Sequence, residues 1–119
     1  MIKDIAFSVY AVTDMKKARG FYEGVLGLQV NPEFDGRKNS NWVEYLVGSG
    51  ALAIGSSPLW KPSQDGAVVA LETDDFDGTV EALKAAGIIF HLEPQNFPTC
   101  QMAVVLDPDK NKVMIHKKK

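Results

Sequence analysis

Apolar and polar residues alternate along Ile5–Val12, and the period changes directly after this stretch. Alternation with a period of two is typical of a β-strand with one buried face. Over Met15–Leu26 the apolar residues instead recur at helical spacing, and Thr13-Asp14 supplies side chains that can cap the free N–H groups of a helix. Gly27 suits the left-handed residue that commonly ends a helix. The pattern predicts a strand followed by a helix.

The same pattern returns further along the chain as an internal repeat. Thr13-Asp14 recurs as Thr73-Asp74, and Gly27 recurs as Gly87, both at a spacing of 60 residues (73 − 13 and 87 − 27). The second strand and helix are predicted at Ala67–Thr73 and Asp75–Ala86. Three more strands follow each helix: Leu28–Phe34, Asn41–Val47 and Ala51–Gly55, then Ile88–Glu93, Cys100–Leu106 and Lys112–His116.

The repeat predicts a β-α-β-β-β module that occurs twice within a single domain over residues 1–119. The first module covers about residues 1–57 and the second about residues 66–119. The segment at about 58–65 contains two prolines and several polar residues, which marks it as the linker. Each half is too small to bury a stable core alone, so the two should pack as one unit.

The composition is that of an ordinary globular domain. The 119 residues are 45% hydrophobic and 24% charged, with a formal net charge of −2. This small negative charge does not favour nucleic acid or an anionic membrane as a partner. No apolar run is long enough to cross a membrane, and the N-terminal stretch lacks the core of a signal peptide. Because Cys100 is the single cysteine, no internal disulfide forms, and a cytoplasmic location is expected.

A series of short motifs resembles those of one known superfamily. They are Val12-Thr13-Asp14, Phe21-Tyr22, Leu26-Gly27-Leu28, Glu72-Thr73-Asp74-Asp75, Leu83-Lys84-Ala85-Ala86-Gly87 and Asp107-Pro108-Asp109. In this order and spacing they resemble the vicinal oxygen chelate superfamily of glyoxalase I, bleomycin-resistance proteins and extradiol dioxygenases. The resemblance spans nearly the whole chain. It implies an α+β fold in which two tandem β-α-β-β-β modules form a curved, cup-like mixed sheet, a fold that hosts both enzymes and binding proteins.

The resemblance also implies where a metal would bind. In metal-dependent members the ligands are usually His, Glu, His and Glu on inward-facing strand positions. These positions fall here on Phe7, Ile54, Met114 and either Val68 or, by the internal repeat, Ala67. None provides the nitrogen or oxygen donors that these divalent ions need, since a thioether is a soft, uncharged ligand. Neither a metal nor another cofactor is therefore expected.

Three side chains are candidate catalysts for an enzyme that works without the family's metal. Glu72 lies on the strand face assigned to the cup, where it would orient a ligand or take a proton, or else it ends the strand in water. His116 shares a strand face with Met114, either at the rim of the cup or solvated near the chain end. Cys100 is a nucleophile if its pKa is depressed, and otherwise a small buried or rim residue.

Apolar residues at the metal positions would make the cup an apolar cavity. The third strand contributes either Trp42 and Glu44 or Val43 and Tyr45, depending on its register. Small-molecule sites are commonly apolar with a few polar groups for orientation. The candidate ligand-binding residues are Phe7, Val9, Trp42, Ile54, Trp60, Val68, Ala70 and Met114, and the polar candidates are Glu44, Tyr45, Glu72, Gln101 and His116.

Three functions follow from these observations. The preferred one is binding of a small, partly apolar molecule, as in the antibiotic-sequestering members of the superfamily. The second is a metal-independent lyase or isomerase acting on a carbonyl or thiol-conjugate substrate. The third is a structural or interaction module whose cup is filled by its own side chains. The resemblance and the open sheet edges also predict a homodimer, either of compact chains or of chains that exchange modules.

Overall fold

The computed structural model of the chain describes residues 1, 3, 5–34 and 41–119. It divides into two compact units, Met1–Pro62 and Ser63–Lys119, and the boundary falls inside the predicted linker. We call these the first and second modules. Each contains one four-stranded mixed sheet and one helical segment, in the order β-α-β-β-β. The predicted α+β class and the two tandem modules are confirmed.

The first module has the strand order β1-β4-β3-β2, with β1 parallel to β4 and the other pairs antiparallel. Its elements are β1 (Ser8–Ala11), α1 (Met15–Arg19) continuing as a π-helical segment (Gly20–Val25), β2 (Gln29–Val30), a 3₁₀ turn (Pro32–Phe34), β3 (Trp42–Val47) and β4 (Gly50–Gly55). The predicted helix is therefore part α and part π. The strand predicted over Leu28–Phe34 shortens to β2, because Pro32 has no N–H group and a 3₁₀ turn follows.

Three tyrosines pack between the helical segment and the sheet of the first module. Tyr22 stacks on Tyr10 of β1 and on Tyr45 of β3, with ring centroids 6.1 and 6.2 Å apart. Tyr22 and Tyr45 are completely buried. The Tyr45 hydroxyl donates a hydrogen bond to Glu23 Oε2 over 2.8 Å, and Arg19 donates to both oxygens of the same carboxylate. These contacts hold the π-helical segment against β3.

The second module repeats this topology with the strand order β5-β8-β7-β6 and β5 parallel to β8. Its elements are β5 (Val69–Glu72), α2 (Phe76–Ala85), β6 (Phe90–Asn96), β7 (Cys100–Leu106) and β8 (Lys112–Lys118). Asp75 caps α2 by accepting a hydrogen bond from the Gly78 N–H over 3.0 Å. A side chain at Gly78 would collide with that capping carboxylate, which explains a glycine inside the helix.

Local backbone features fix the ends of the helices and the turn before β8. Gly27 and Gly87 have φ angles of +70° and +73°, which is the left-handed conformation expected after each helix. In the turn before β8, the buried Asp107 side chain accepts hydrogen bonds from the N–H groups of Asp109 and Asn111. Within the described ranges, no helix combines the length and the apolar character needed to cross a bilayer.

Candidate functional site

The sheet of the first module has two faces of different character. Tyr10, Val43 and Tyr45 point toward the helical segment, where they are buried. Because side chains alternate along a strand, Val9 and Trp42 point the opposite way. Cross-strand pairing places Val9, Ala53 and Glu44 in one row on this opposite side, and Ala11, Gly55 and Trp42 in the next. We call this side of the sheet, together with Phe7 and Trp60, the aromatic face.

Three aromatic side chains contact one another on the aromatic face. The ring centroids of Phe7 and Trp42 are 5.2 Å apart at an interplanar angle of 77°, and those of Trp42 and Trp60 are 5.9 Å apart at 65°. Such edge-on arrangements are favourable for aromatic pairs. Phe7 is 41% exposed and Trp60 is 43% exposed. The cluster is therefore accessible as well as packed.

Gly55 lies directly beneath the two indole rings. A Cβ atom at this position would lie 2.8 Å from Trp60 Cζ3 and 3.0 Å from Trp42 Cε3, closer than carbon atoms normally pack. Trp60 follows a turn in which its N–H donates to the Ser57 carbonyl over 3.1 Å. Gly55 was not among the predicted site residues. The available signal was a glycine in a strand, which often marks a close approach by another group.

The structure shows which residues of β3 lie on the aromatic face. Trp42 and Glu44 lie on the aromatic face, whereas Val43 and Tyr45 are buried on the helical side. The Glu44 backbone carbonyl accepts a hydrogen bond from Asn31 N–H over 2.8 Å. Its side chain is half-buried, and no other described residue donates a hydrogen bond to the carboxylate. The aromatic face thus includes an acidic group.

The prediction that Ile54 shares a surface with Phe7 and Val9 was wrong. Ile54 pairs in register with Tyr10 and Val43, so its side chain lies on the helical side and is completely buried. Ala53, one residue earlier, occupies the aromatic face instead. Counting along the chain placed the residue one position out of phase, and a shift of one residue moves a strand side chain to the opposite face.

In the second module, the predicted residues of β5 and β8 share one side of the sheet. Ala70 pairs with Met114, which pairs in turn with Val104, and Val68 lies immediately before β5. Met114 is half-buried, whereas Val68 is 40% exposed. The helical side of the same sheet is filled by other buried residues: Ala103, Val105, Val113 and Ile115. Met114 therefore belongs to the side of the sheet away from α2.

Glu72 and His116 form a hydrogen-bonded pair at the end of β5 and β8. His116 Nδ1 lies 2.5 Å from Glu72 Oε1, and the Lys118 N–H donates to Glu72 Oε2 over 2.8 Å. The side chains of His116 and Glu72 are 30% and 57% exposed, so the pair is at the surface. The hydrogen bonds from His116 and then from Lys118 lower the pKa of Glu72. Sequence analysis placed both residues on one face but did not predict that they interact.

Cys100 begins β7 and is half-buried. It pairs with Lys118, while Met102, two residues later, pairs with His116. The thiol is thus on the same side of the sheet as the Glu72–His116 pair, at a neighbouring cross-strand position. No contact joins Cys100 to either residue among those the structure describes.

The residues at the family's metal positions do not fit a metal. Phe7, Val68 and Met114 carry no nitrogen or oxygen donor in their side chains, and neither Ile54 nor Ala53 supplies one on β4. In the described part of the chain, no three His, Cys, Asp or Glu side chains come together in a way that would hold a metal ion.

Comparison with known proteins identifies relatives of this architecture. The family model of the Glyoxalase/Bleomycin resistance protein/Dioxygenase superfamily matches residues 4–115. No curated protein matches significantly in sequence. Many solved structures are similar, and the three described next, at 17–20% identity, show the fold alone.

Three of these structures illustrate the range of the fold. A glyoxalase/dioxygenase from Nostoc punctiforme has a TM-score of 0.81 at 17% identity, covering 98% of this chain and 92% of its own. TnmS3, an antibiotic binding protein from Streptomyces sp. CB03234, has a TM-score of 0.78 at 20% identity, covering 99% and 98%. Lactoylglutathione lyase from Agrobacterium tumefaciens has a TM-score of 0.73 at 18% identity, covering 98% and 94%.

Proposed function

We propose that this chain, which belongs to the Glyoxalase/Bleomycin resistance protein/Dioxygenase superfamily, binds a small, partly apolar molecule on the aromatic face. The fold of this superfamily serves both catalysis and binding, so the residues of the site decide between them. The observation that carries this proposal is the cluster of Phe7, Trp42 and Trp60, packed edge to face yet partly exposed. Large aromatic side chains are usually buried more completely than this unless a partner covers them.

The physical gain from such binding is substantial. A planar ligand that covers part of the rings removes apolar surface from water, worth about 25 cal/mol for each Å² buried. Well-oriented contacts between aromatic rings add about 0.5–1.5 kcal/mol each. The ring positions are set in advance by the absence of a side chain at Gly55, so little order has to be created on binding. A structural neighbour, TnmS3, is an antibiotic binding protein, which makes small-molecule binding a natural use of this fold.

Intrinsic fluorescence gives a direct test. The chain has two tryptophans, and both are in the aromatic cluster, so its indole emission reports on the proposed site. We expect the neutral dye N-phenyl-1-naphthylamine, and at least one compound in a panel of aromatic antibiotics and metabolites, to quench this emission saturably. Replacing Phe7 with Leu should weaken binding several-fold. Phe97→Leu is the matched control, because Phe97 is 43% exposed but lies in the other module.

A second pair of variants tests the arrangement of the rings. Gly55→Ala should displace both indoles and weaken dye binding at least tenfold while the far-ultraviolet circular dichroism stays unchanged. Gly50→Ala is the control at the other end of β4, because its Cβ would meet only the Val47 carbonyl at an ordinary distance of 3.5 Å. Dye binding that is absent in the wild type, or equal in all four variants, would rule out the proposed site.

A metal-independent lyase or isomerase is the second candidate function, and the Glu72–His116 hydrogen bond favours it. A carboxylate that accepts the Nδ1–H of histidine fixes the ring tautomer and leaves Nε2 to accept a proton. In such an isomerisation, His116 Nε2 would remove a proton from a carbon beside a carbonyl and return it to a neighbouring atom of the substrate. The carboxylate of Glu72 would stabilise the imidazolium formed in between.

Proton exchange in deuterated water tests this second function. Incorporation of deuterium beside the carbonyl of α-hydroxyketones and their thiol adducts, followed by NMR, should survive chelators and fall at least tenfold in Glu72→Gln and His116→Gln. His91→Gln is the control, because His91 is the other histidine and lies on β6, separated from β8 by β7. Exchange no faster than in buffer for the whole panel would exclude this function.

A further inference from the structure

We propose that the aromatic face selects organic cations, meaning ligands with a protonated amine or a quaternary ammonium group on an apolar body. The inference rests on the proposed function and names the ligand class for that site. It is carried by the position of Glu44, whose carboxylate shares the aromatic face with Trp42. A carboxylate beside exposed aromatic rings provides two complementary attractions for one positive charge.

The register of the sheet places these groups together. Glu44 follows Trp42 by two residues on β3, so both side chains project from the same side of the strand. The cross-strand partner of Glu44 is Ala53 and that of Trp42 is Gly55, so the adjacent strand offers only small residues beside them. Gly55 lets the two indole rings lie close against the sheet, in the row next to Glu44.

The environment of Glu44 differs from that of Glu23 and Glu72, two glutamates that accept side-chain hydrogen bonds. Glu23 is hydrogen-bonded to Arg19 and Tyr45, and Glu72 is hydrogen-bonded to His116 and Lys118. The half-buried Glu44 carboxylate has no such donor within the described residues. A bound cation would supply the carboxylate with the partner that the described residues do not provide.

The aromatic side chains favour the same kind of ligand. The electron-rich face of an indole attracts ammonium groups, and tryptophan does so more strongly than tyrosine or phenylalanine. Trp42 and Trp60 meet at an interplanar angle of 65°, so their faces point in different directions and can border two sides of one ligand. A neutral molecule of the same shape would gain the apolar contacts alone.

A pair of probes of equal shape separates charge from apolar contact. Phenyltrimethylammonium carries a quaternary nitrogen, and tert-butylbenzene is its neutral counterpart. We expect both to quench the indole emission of the wild-type chain saturably, with the cation bound at least fivefold more tightly at low ionic strength. In Glu44→Gln the cation should bind several-fold more weakly, keeping only the preference that the indole rings provide, and the affinity for the neutral probe should not change. Glu33→Gln is the control, because Glu33 is an exposed carboxylate in the 3₁₀ turn of the same module.

Each outcome has a definite meaning. A cation preference that falls in Glu44→Gln but not in Glu33→Gln supports the inference. Equal affinity for the two probes in the wild type overturns the inference and leaves the proposed binding function standing. A cation preference of unchanged size in Glu44→Gln overturns the assignment to Glu44. No saturable quenching by either probe, by the dye or by the panel overturns both the inference and the proposed function.

Discussion

Lys110 has a backbone conformation that residues other than glycine rarely adopt, with a φ angle of 67°. It lies in the turn between β7 and β8, where its N–H donates to the Asp107 carbonyl over 2.9 Å. The Asp107 side chain fixes the same turn by binding the N–H groups on both sides of Lys110, those of Asp109 and Asn111. These bonds hold Lys110 in the left-handed region, which costs a side chain about 1–2 kcal/mol.

Replacing Lys110 with glycine should therefore stabilise the chain. Glycine removes the steric cost but loses more conformational entropy on folding, so the expected net gain in the free energy of unfolding is about 0.5–1 kcal/mol. Urea denaturation at neutral pH measures this difference. Lys110→Ala is the matched control, because alanine shortens the side chain but keeps the Cβ that causes the strain, and it should give no gain. A glycine variant less stable than the alanine variant would contradict the explanation.

The π-helical segment depends on Glu23 for its attachment to the sheet. Burial by itself would raise the pKa of Glu23, but the hydrogen bonds from Arg19 and Tyr45 and the positive charge of Arg19 outweigh it and lower the pKa below 4.5. Burial and the Glu23 carboxylate in turn raise the pKa of Tyr45, which remains a donor at neutral pH. Because the folded state favours the ionised form of Glu23, this carboxylate stabilises the fold above pH 4.5. The stabilisation disappears as the pH falls below that value.

Glu23→Gln should lower the free energy of unfolding by about 1 kcal/mol at pH 7, since the charged partner of Arg19 is lost while an oxygen remains for Tyr45. The difference between this variant and the wild type should shrink as the pH is lowered from 4.5 through the depressed pKa of Glu23. Chemical denaturation at pH 7 and at acid pH measures both effects. Glu33→Gln removes a charge from an exposed carboxylate in the same module and should change stability little at either pH. A constant deficit for Glu23→Gln at all pH values would contradict this account.

Strand and helix positions were predictable because their apolar periods are local properties of the sequence. The predicted strand Cys100–Leu106 is identical to β7, and the glycines expected to end the helices have positive φ angles. Finer features were not predictable, because they depend on partners distant in the chain. The side to which Ile54 points depends on its pairing with Tyr10, and the π-helical segment carries Tyr22, whose ring stacks on tyrosines of two strands.

In the candidate site, too, single residues were predictable but their contacts were not. Trp42 and Trp60 were both predicted from the sequence as candidate ligand-binding residues, and the structure brings their rings into contact. The need for glycine at position 55 became apparent only from the two indoles that approach it. Likewise, Glu72 and His116 were each candidates, but their hydrogen bond follows from the parallel pairing of β5 with β8.

The assembly of the whole molecule remains a prediction from the resemblance and from its sheet edges. The first module has β1 and β2 as edge strands, and the second has β5 and β6. Pro94 and two irregularities of register interrupt β6, as in edges that avoid pairing. We expect a homodimer, and light scattering should give twice the chain mass of 13.0 kDa at working concentration. A single-chain mass under those conditions would contradict it.

Metal independence is the prediction that involves the chain as a whole, because the family's metal positions come from widely separated strands. The residues there are apolar, so the purified protein, incubated with Zn²⁺ or Mn²⁺ and then desalted, should retain far less than one equivalent of metal. Glu72 and His116 supply two donors, which is fewer than a stable divalent site requires, and any weak uptake should disappear in His116→Gln. A chelator should likewise leave the melting temperature unchanged, since a ligand that does not bind the folded state cannot stabilise it. One full equivalent of tightly held metal in His116→Gln, together with a lower melting temperature after chelation, would show that other side chains form a metal site.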